Sequence, residues 1–328
     1  MRAAPALAQG VHPHTRLMGF ADFNYLVTDR EGAAEGFREG QLVGHLASEL
    51  GERVGVFAEV SASASASGFR LGVERILLRY DVRDALKLSA GRFHTPIVYW
   101  NTAYHHGHWL QTTVGRPEMI RGGGTFLPIH FVGVQAEGTL PSWGIGYQVG
   151  FGNGRGESFT SAGDRGEQDF QPAYTAAVHY RPMWLPGVQV GASAYFDRPR
   201  AEGGEEVRER AGTAHLVVER RQAELVAEWG RVGHMVADSG SWLWGSGGYV
   251  QGGYRLPGAV RAFKPYARWE SVDVPAGDGI RPKGSSYQAW LAGVRFDFTS
   301  VAALKAEYRR ERTEAGRFRS FVLELSYT

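Results

Sequence analysis

Apolar and polar residues alternate with a period of two at the end of the chain, where Phe321, Leu323, Leu325 and Tyr327 interleave with Val322, Glu324 and Ser326. The same period recurs upstream, with Trp290, Ala292, Val294, Phe296 and Phe298 against Gly293, Arg295 and Asp297, and with Val188, Val190, Ala192, Ala194 and Phe196 against Gln189, Gly191, Ser193 and Asp197. Successive side chains of a strand point to opposite faces, so this period predicts strands with one apolar face and one polar or small face. Sixteen such segments can be read, at about 16–28, 41–50, 54–64, 70–80, 86–93, 131–138, 143–151, 173–180, 188–197, 213–220, 223–231, 248–256, 263–270, 286–298, 301–310 and 318–327. An even count lets both chain ends meet on one side and the sheet close. The pattern therefore predicts an all-β fold, a closed antiparallel transmembrane β-barrel of sixteen strands with lipid outside and a polar lumen inside.

The connections support the same reading. Those after even-numbered segments are short, at 51–53, 81–85, 139–142, 181–187, 221–222, 257–262 and 299–300, whereas most after odd-numbered segments are longer, at 29–40, 94–130, 152–172, 198–212, 232–247 and 271–285. Short turns on one side and long loops on the other are expected of a barrel in a bacterial outer membrane. The outward positions are nearly free of charge. Two residues break the alternation: Glu74 falls on the apolar side of the fourth segment, and Arg92 keeps step with Leu86, Leu88 and Ala90 in the fifth. A bulge or an early exit from the membrane accounts for either.

Composition narrows the function classes. No run of apolar residues is long enough for a transmembrane helix, and 45 glycines with 12% aromatic residues suit a barrel. The absence of cysteine excludes disulfides, thiolate metal sites and covalently attached haem on this chain. A formal net charge of +2 provides no overall field for nucleic acid, which is not an expected partner. Residues 3–10 read AAPALAQG, and Ala6-Leu7-Ala8 before Gln9 has the form of a signal cleavage site. Residues 1–9 are thus read as a residual signal-like segment and 10–328 as the barrel, in which 94–130 is the constriction loop.

The fifth segment ends in Gly91-Arg92-Phe93-His94-Thr95-Pro96, directly before the longest connection of the chain. This hexapeptide and loop resemble the phosphate- and pyrophosphate-selective porins, in which a Gly-Arg-Phe-x-Thr-Pro motif closes the strand before the third long loop. Here Gly91, Arg92, Phe93, Thr95 and Pro96 match, and His94 occupies the variable position. The resemblance implies a sixteen-stranded barrel that assembles as a homotrimer and folds its third long loop inward to narrow a pore for small anionic solutes such as phosphate.

Candidate site residues follow from the loop and from the inward faces. The loop carries Tyr104, His105, His106, His108, Arg116 and Arg121, which with Arg92 and His94 are read as the constriction. Glu118 is the single acid between residues 94 and 130, so the region is net positive, and protonation of its histidines below about pH 6.5 adds to that charge. Neutral imidazoles also suit Zn²⁺ or Ni²⁺, but His105, His106 and His108 lack the spacing of a helical site; they are read as hydrogen-bonding groups, with neither metal nor cofactor expected. Arg75, Arg79, Lys264, Arg268, Arg295 and Lys305 are read as pore-lining among inward residues of both signs. No Gly-x-Ser-x-Gly, HExxH or Walker-type motif occurs. The expectation is a non-enzymatic outer-membrane porin surrounded by lipid. A sheath around a periplasmic partner and an outer-membrane hydrolase are the alternatives.

Overall fold

The computed structural model describes residues 13–121, 126–156, 162–166, 171–201, 204–236 and 240–328. The signal-like segment 1–9 and the glycines 122–124 of the long loop lie outside these residues. Sixteen strands form one closed antiparallel sheet. They are β1 (His14–Thr28), β2 (Gly36–Glu49), β3 (Val54–Ser65), β4 (Gly68–Arg83), β5 (Leu86–His94), β6 (His130–Leu140), β7 (Ile145–Asn153), β8 (Ala173–Tyr180), β9 (Val188–Asp197), β10 (Val207–Glu219), β11 (Ala223–Val236), β12 (Leu243–Tyr254), β13 (Phe263–Val274), β14 (Ser285–Phe296), β15 (Ala302–Thr313) and β16 (Gly316–Tyr327). Each strand pairs with its chain neighbours, and β1 closes on β16 from Ala21 opposite Tyr327 to Thr28 opposite Ser320. Closure satisfies every edge, as a sheet in hydrocarbon requires.

The period of two separates the two faces as read. Leu304, Tyr308, Phe321, Tyr327, Trp290, Val190, Phe196 and Phe151 are exposed on the outer wall, while Lys305, Glu307 and Glu324 are buried within. Several strands run further than the alternation. β10 starts at Val207 instead of 213, and β11, β12 and β13 extend past their readings at the same end of the barrel. There Arg208, Arg210 and Arg231 face outward, with Arg210 over the Trp242 ring and Arg231 over Trp244. Trp143 lies in a 3-10 turn before β7, not in the strand.

Glu74 marks a bulge. The pairing of β3 with β4 shifts between Glu59 and Val60, so Glu74 is an extra residue that turns inward. Its carboxylate accepts from Ser61 Oγ at 2.5 Å.

An apolar core also lies inside the barrel. Ile97, Val98, Trp100, Met119, Ile120, Phe126 and Leu127 of the β5–β6 connection pack with wall residues that include Phe93, Phe131, Tyr195, Val226 and Tyr249. Each such side chain contributes about 1.5–3 kcal/mol on burial, which offsets the cost of ordering a long connection.

Candidate functional site

The neck of the connection is built by the hexapeptide. Gly91 has φ +139°, and a Cβ there would meet the Ile76 carbonyl oxygen at 2.1 Å, so only glycine fits. Arg92 uses the bulge: its Nε donates to the Glu74 carbonyl at 3.1 Å, and its Nη1 pairs with Asp164 in the β7–β8 connection. The Phe93 ring lies 5.2 Å from that of Phe131. Thr95 N donates to Ile129 O at 2.9 Å, and Asn101 Nδ2 donates to the carbonyls of Thr95 and Ile129, both at 2.9 Å. These bonds tie the two ends of the loop together.

Beyond the neck the loop lies along the inner face of the wall, where charged residues bind its backbone. A short helix, α1 (Tyr99–Ala103), starts against β11, and the Glu228 carboxylate accepts from Tyr99 N at 2.7 Å and Trp100 N at 2.9 Å. Glu307 of β15 accepts from Val114 N at 2.9 Å, and Glu270 of β13 from Glu118 N at 2.7 Å. Cations meet the carbonyls. Arg295 donates to Trp109 O at 2.6 Å and Gln111 O at 2.8 Å, Lys305 to His108 O at 2.5 Å, Arg268 to Gly115 O at 3.2 Å, and Arg309 to Val114 O at 2.7 Å. Buried charge is tolerated here because each group has fixed partners.

The six residues read as pore-lining therefore occupy different settings. Arg268, Arg295 and Lys305 hold the loop, and Lys305 is also paired with Glu324 at 2.7 Å. Lys264 binds Thr112 Oγ1 at 2.9 Å and pairs with Glu224. Arg75 pairs with Glu59 and covers the Phe57 ring, while Arg79, with a side chain 41% exposed, pairs with Asp81 at 2.8 Å.

The constriction residues also divide. His94, His105 and His106 come together with His130, whose ring is 5.1 Å from that of His105. His108 leaves this group for β1 and β16, where Nδ1 lies 2.8 Å from Glu324 and 3.6 Å from Asp22. Tyr104 is half-buried against Trp100, with ring centres 4.9 Å apart. Arg116 Nη2 donates to His105 O at 2.7 Å, and Arg121, 62% exposed, pairs with Glu118 at 3.1 Å.

Burial, reinforced by His94 and Arg116, pushes His105 well below the ordinary histidine range, so it stays neutral in mild acid and adds no positive charge there. Burial also opposes a charge on His108, but the Glu324 and Asp22 carboxylates outweigh it and raise its pKa. Glu118 is pushed up to about 7 by burial, and Glu270 adds to the shift while Arg121 opposes it.

The sequence pattern places Glu59 and Glu228 among the inward acids without giving them a role, and it sets Glu74 on the apolar side. For Glu74 the signal was present, since its break with the alternation is what turns it into the lumen.

No protein-family model and no curated protein matches the sequence. Solved structures match in fold. The anion-selective porin from Comamonas acidovorans has a TM-score of 0.71 and 12% identity, covering 96% of this chain and 99% of that one. The trimer form of OmpT, an outer membrane protein of Vibrio cholerae, has a TM-score of 0.67 and 14% identity over 95% of this chain and 99% of its own. Salmonella typhi OmpF, in complex with daunomycin, has a TM-score of 0.66 and 10% identity over 95% and 97%. At these identities the likeness is one of fold.

Proposed function

We propose that this chain is a porin of the bacterial outer membrane, a passive channel whose cross-section is set by the connection between β5 and β6. The observation that carries the reading is the docking of that connection on the inner face of the wall, held by Glu228, Glu270, Arg295, Lys305 and Glu307. A wall that binds a loop this closely leaves its free passage toward β7–β9, where inward positions such as Gly146, Gln148, Ala177, His179, Gln189 and Gly191 are small or neutral.

The solutes are small anions such as phosphate. Arg116 and Arg121 outnumber Glu118 on the loop, and charge at a narrow point of low dielectric weighs more than charge on an open wall. The chain assembles as a homotrimer in this reading, a state also present in the trimer form of OmpT.

A hydrolase has less support. An Asp–His pair does occur, with His234 Nδ1 2.6 Å from Asp278, but both residues are buried beside a cavity of about 10 Å³, room for roughly one water molecule. The test is conduction by the purified protein in planar bilayers. Chloride should permeate more readily than potassium, and an Arg116→Gln, Arg121→Gln double variant should lower that ratio. Deleting residues 100–125 should raise the single-channel conductance while the barrel still assembles. A silent protein would overturn the porin reading, and a cation-selective one would overturn the role given to the two arginines.

A further inference from the structure

The register of β5 against β6 sets His94 directly opposite His130, and the docked loop brings His105 and His106 over them. Ring centres lie 3.7 Å apart for His94 and His105, and 5.3 Å for His94 and His130. One nitrogen from each of His94, His105 and His130 lies within 4.8 Å of the other two, as do donor atoms of Glu74, His105 and His106. A tetrahedral ion with bonds of about 2.0–2.1 Å needs donors roughly 3.4 Å apart, so side-chain adjustments of about an ångström would close the set.

The tautomers are fixed from behind. His105 Nδ1 lies 2.6 Å from Asn101 Oδ1, and His106 Nδ1 lies 2.6 Å from Gln41 Oε1. Gln41 is itself oriented by its Nε2 bond to Ser63 Oγ at 3.0 Å. An amide oxygen only accepts, so both Nδ1 atoms carry protons and, in the neutral rings, both Nε2 atoms present lone pairs. Outer partners of this kind orient histidines that bind metals.

The His106 lone pair then lacks a donor. His94, His105 and His106 are each more than nine-tenths buried, and Nε2 of His94 and of His106 has no hydrogen-bond partner. The Glu74 carboxylate lies 3.3 Å from His106 Nε2 and 3.0 Å from His130 Nε2. For neutral His106 this sets lone pair against lone pair, an arrangement that a cation between them would relieve. The nearby cations are engaged elsewhere, Arg75 with Glu59 and Arg116 with the His105 carbonyl.

We propose that His94, His105 and His130, with Glu74 as the carboxylate, form a site for a divalent transition-metal ion, with His106 beside them as a further nitrogen. Sulfur is absent and imidazole predominates, which selects Zn²⁺, Cu²⁺ or Ni²⁺ over Ca²⁺ and Mg²⁺. Ligands from β4, β5, β6 and the loop would make the ion a tie between the loop and the wall.

The site is tested on the whole purified barrel in detergent, stripped with a chelator and titrated calorimetrically with Zn²⁺. One saturable site per chain is expected, together with no comparable binding of Mg²⁺. A His105→Gln, His130→Gln double variant should lose at least about 100-fold in affinity, whereas His215→Gln, outside the cluster, should match the parent protein. Heat-dependent gel mobility shows whether the variants are folded. Should the double variant not fold, the electron-spin resonance of Cu²⁺ on the unaltered protein decides, since coupling to three imidazole nitrogens is expected. Failure of Zn²⁺ to saturate, undiminished binding by a folded double variant, or coupling to fewer than two nitrogens would overturn the proposal. Because binding is read without a bilayer, a silent protein that still takes up Zn²⁺ would sink the porin reading alone.

Discussion

Glu228→Ala is the most direct test of how the loop is held. The carboxylate accepts from two backbone N–H groups at the start of α1, which no helix can satisfy internally, and from the Tyr249 hydroxyl at 2.5 Å. Hydrogen bonds to a charged group contribute about 1.5–3 kcal/mol each. Removing the acceptor also strands donors in a core where Trp100 and Tyr249 are almost wholly buried. Allowing for water to reach the released groups, the docked loop should lose about 3–5 kcal/mol, which raises the population that opens by roughly two to four orders of magnitude. Amide hydrogen exchange reads this locally. The amides of Tyr99 and Trp100 should exchange about 100-fold faster or more, while the ladders of β14, β15 and β16 keep their protection. Glu228→Gln should fall between, because one acceptor oxygen remains. Protection of the two amides within about threefold of the parent protein would refute the assignment of Glu228 as the anchor.

Two further outcomes follow. Gly91→Ala must fit a Cβ 2.1 Å from one backbone atom and 2.9 Å from another at a positive φ, so it should cost about 3 kcal/mol or more and lower the urea midpoint of the heat-modifiable form; an unchanged midpoint would remove the steric argument. Glu118 faces Arg121, Glu270, Arg281 and Glu311, and its pKa is raised to about 7, so the folded protein keeps a proton that the unfolded chain loses near 4.5. Its contribution to stability thus declines as pH rises from about 4.5 to 7 and levels off above. Ionisation also removes one net positive charge beside Arg121, so the chloride-to-potassium ratio should fall with a midpoint near 7, and that step should vanish in Glu118→Gln. A wild-type ratio that is flat between pH 5.5 and 8 would sink this reading.

The strands were legible because lipid imposes the alternation that was read. Where the wall rises beyond the apolar band, the ladder continues but the pattern stops. Arg310 and Arg312 face outward in β15 opposite Arg319 and Arg317 in β16, and sequence reading therefore ended both strands short of a hairpin that runs to Thr313 and resumes at Gly316. The same effect hid the first residues of β10, where Arg208 and Arg210 point out and Glu209 points in. Sorting connections by length was only partly reliable. The 66–67 and 314–315 turns are shorter than 181–187 or 255–262 on the other side, and the contrast rests chiefly on 95–129 and 154–172. At the site, the residue types could be read but their partners could not. Lys305 and Arg268 bind carbonyl oxygens of the loop, and a main-chain acceptor leaves no trace in composition. The meeting of His130 and Glu74 with the loop histidines depends on a strand register and a bulge, which only the folded sheet specifies.

The loop also bridges the one seam where the barrel is not joined by a turn. His108 lies between Glu324 on the last strand and Asp22 on the first, and His106 reaches Gln41 on the second. Half of that cradle is missing until the two ends of the chain have found each other. This latch must therefore close after the seam, while the anchors on β11, β13, β14 and β15 can form before it, so an open, incompletely zipped sheet carries a loop whose His108 end is unlatched. Accessibility to protease around His108 would then report whether the final hydrogen-bonded ladder has formed.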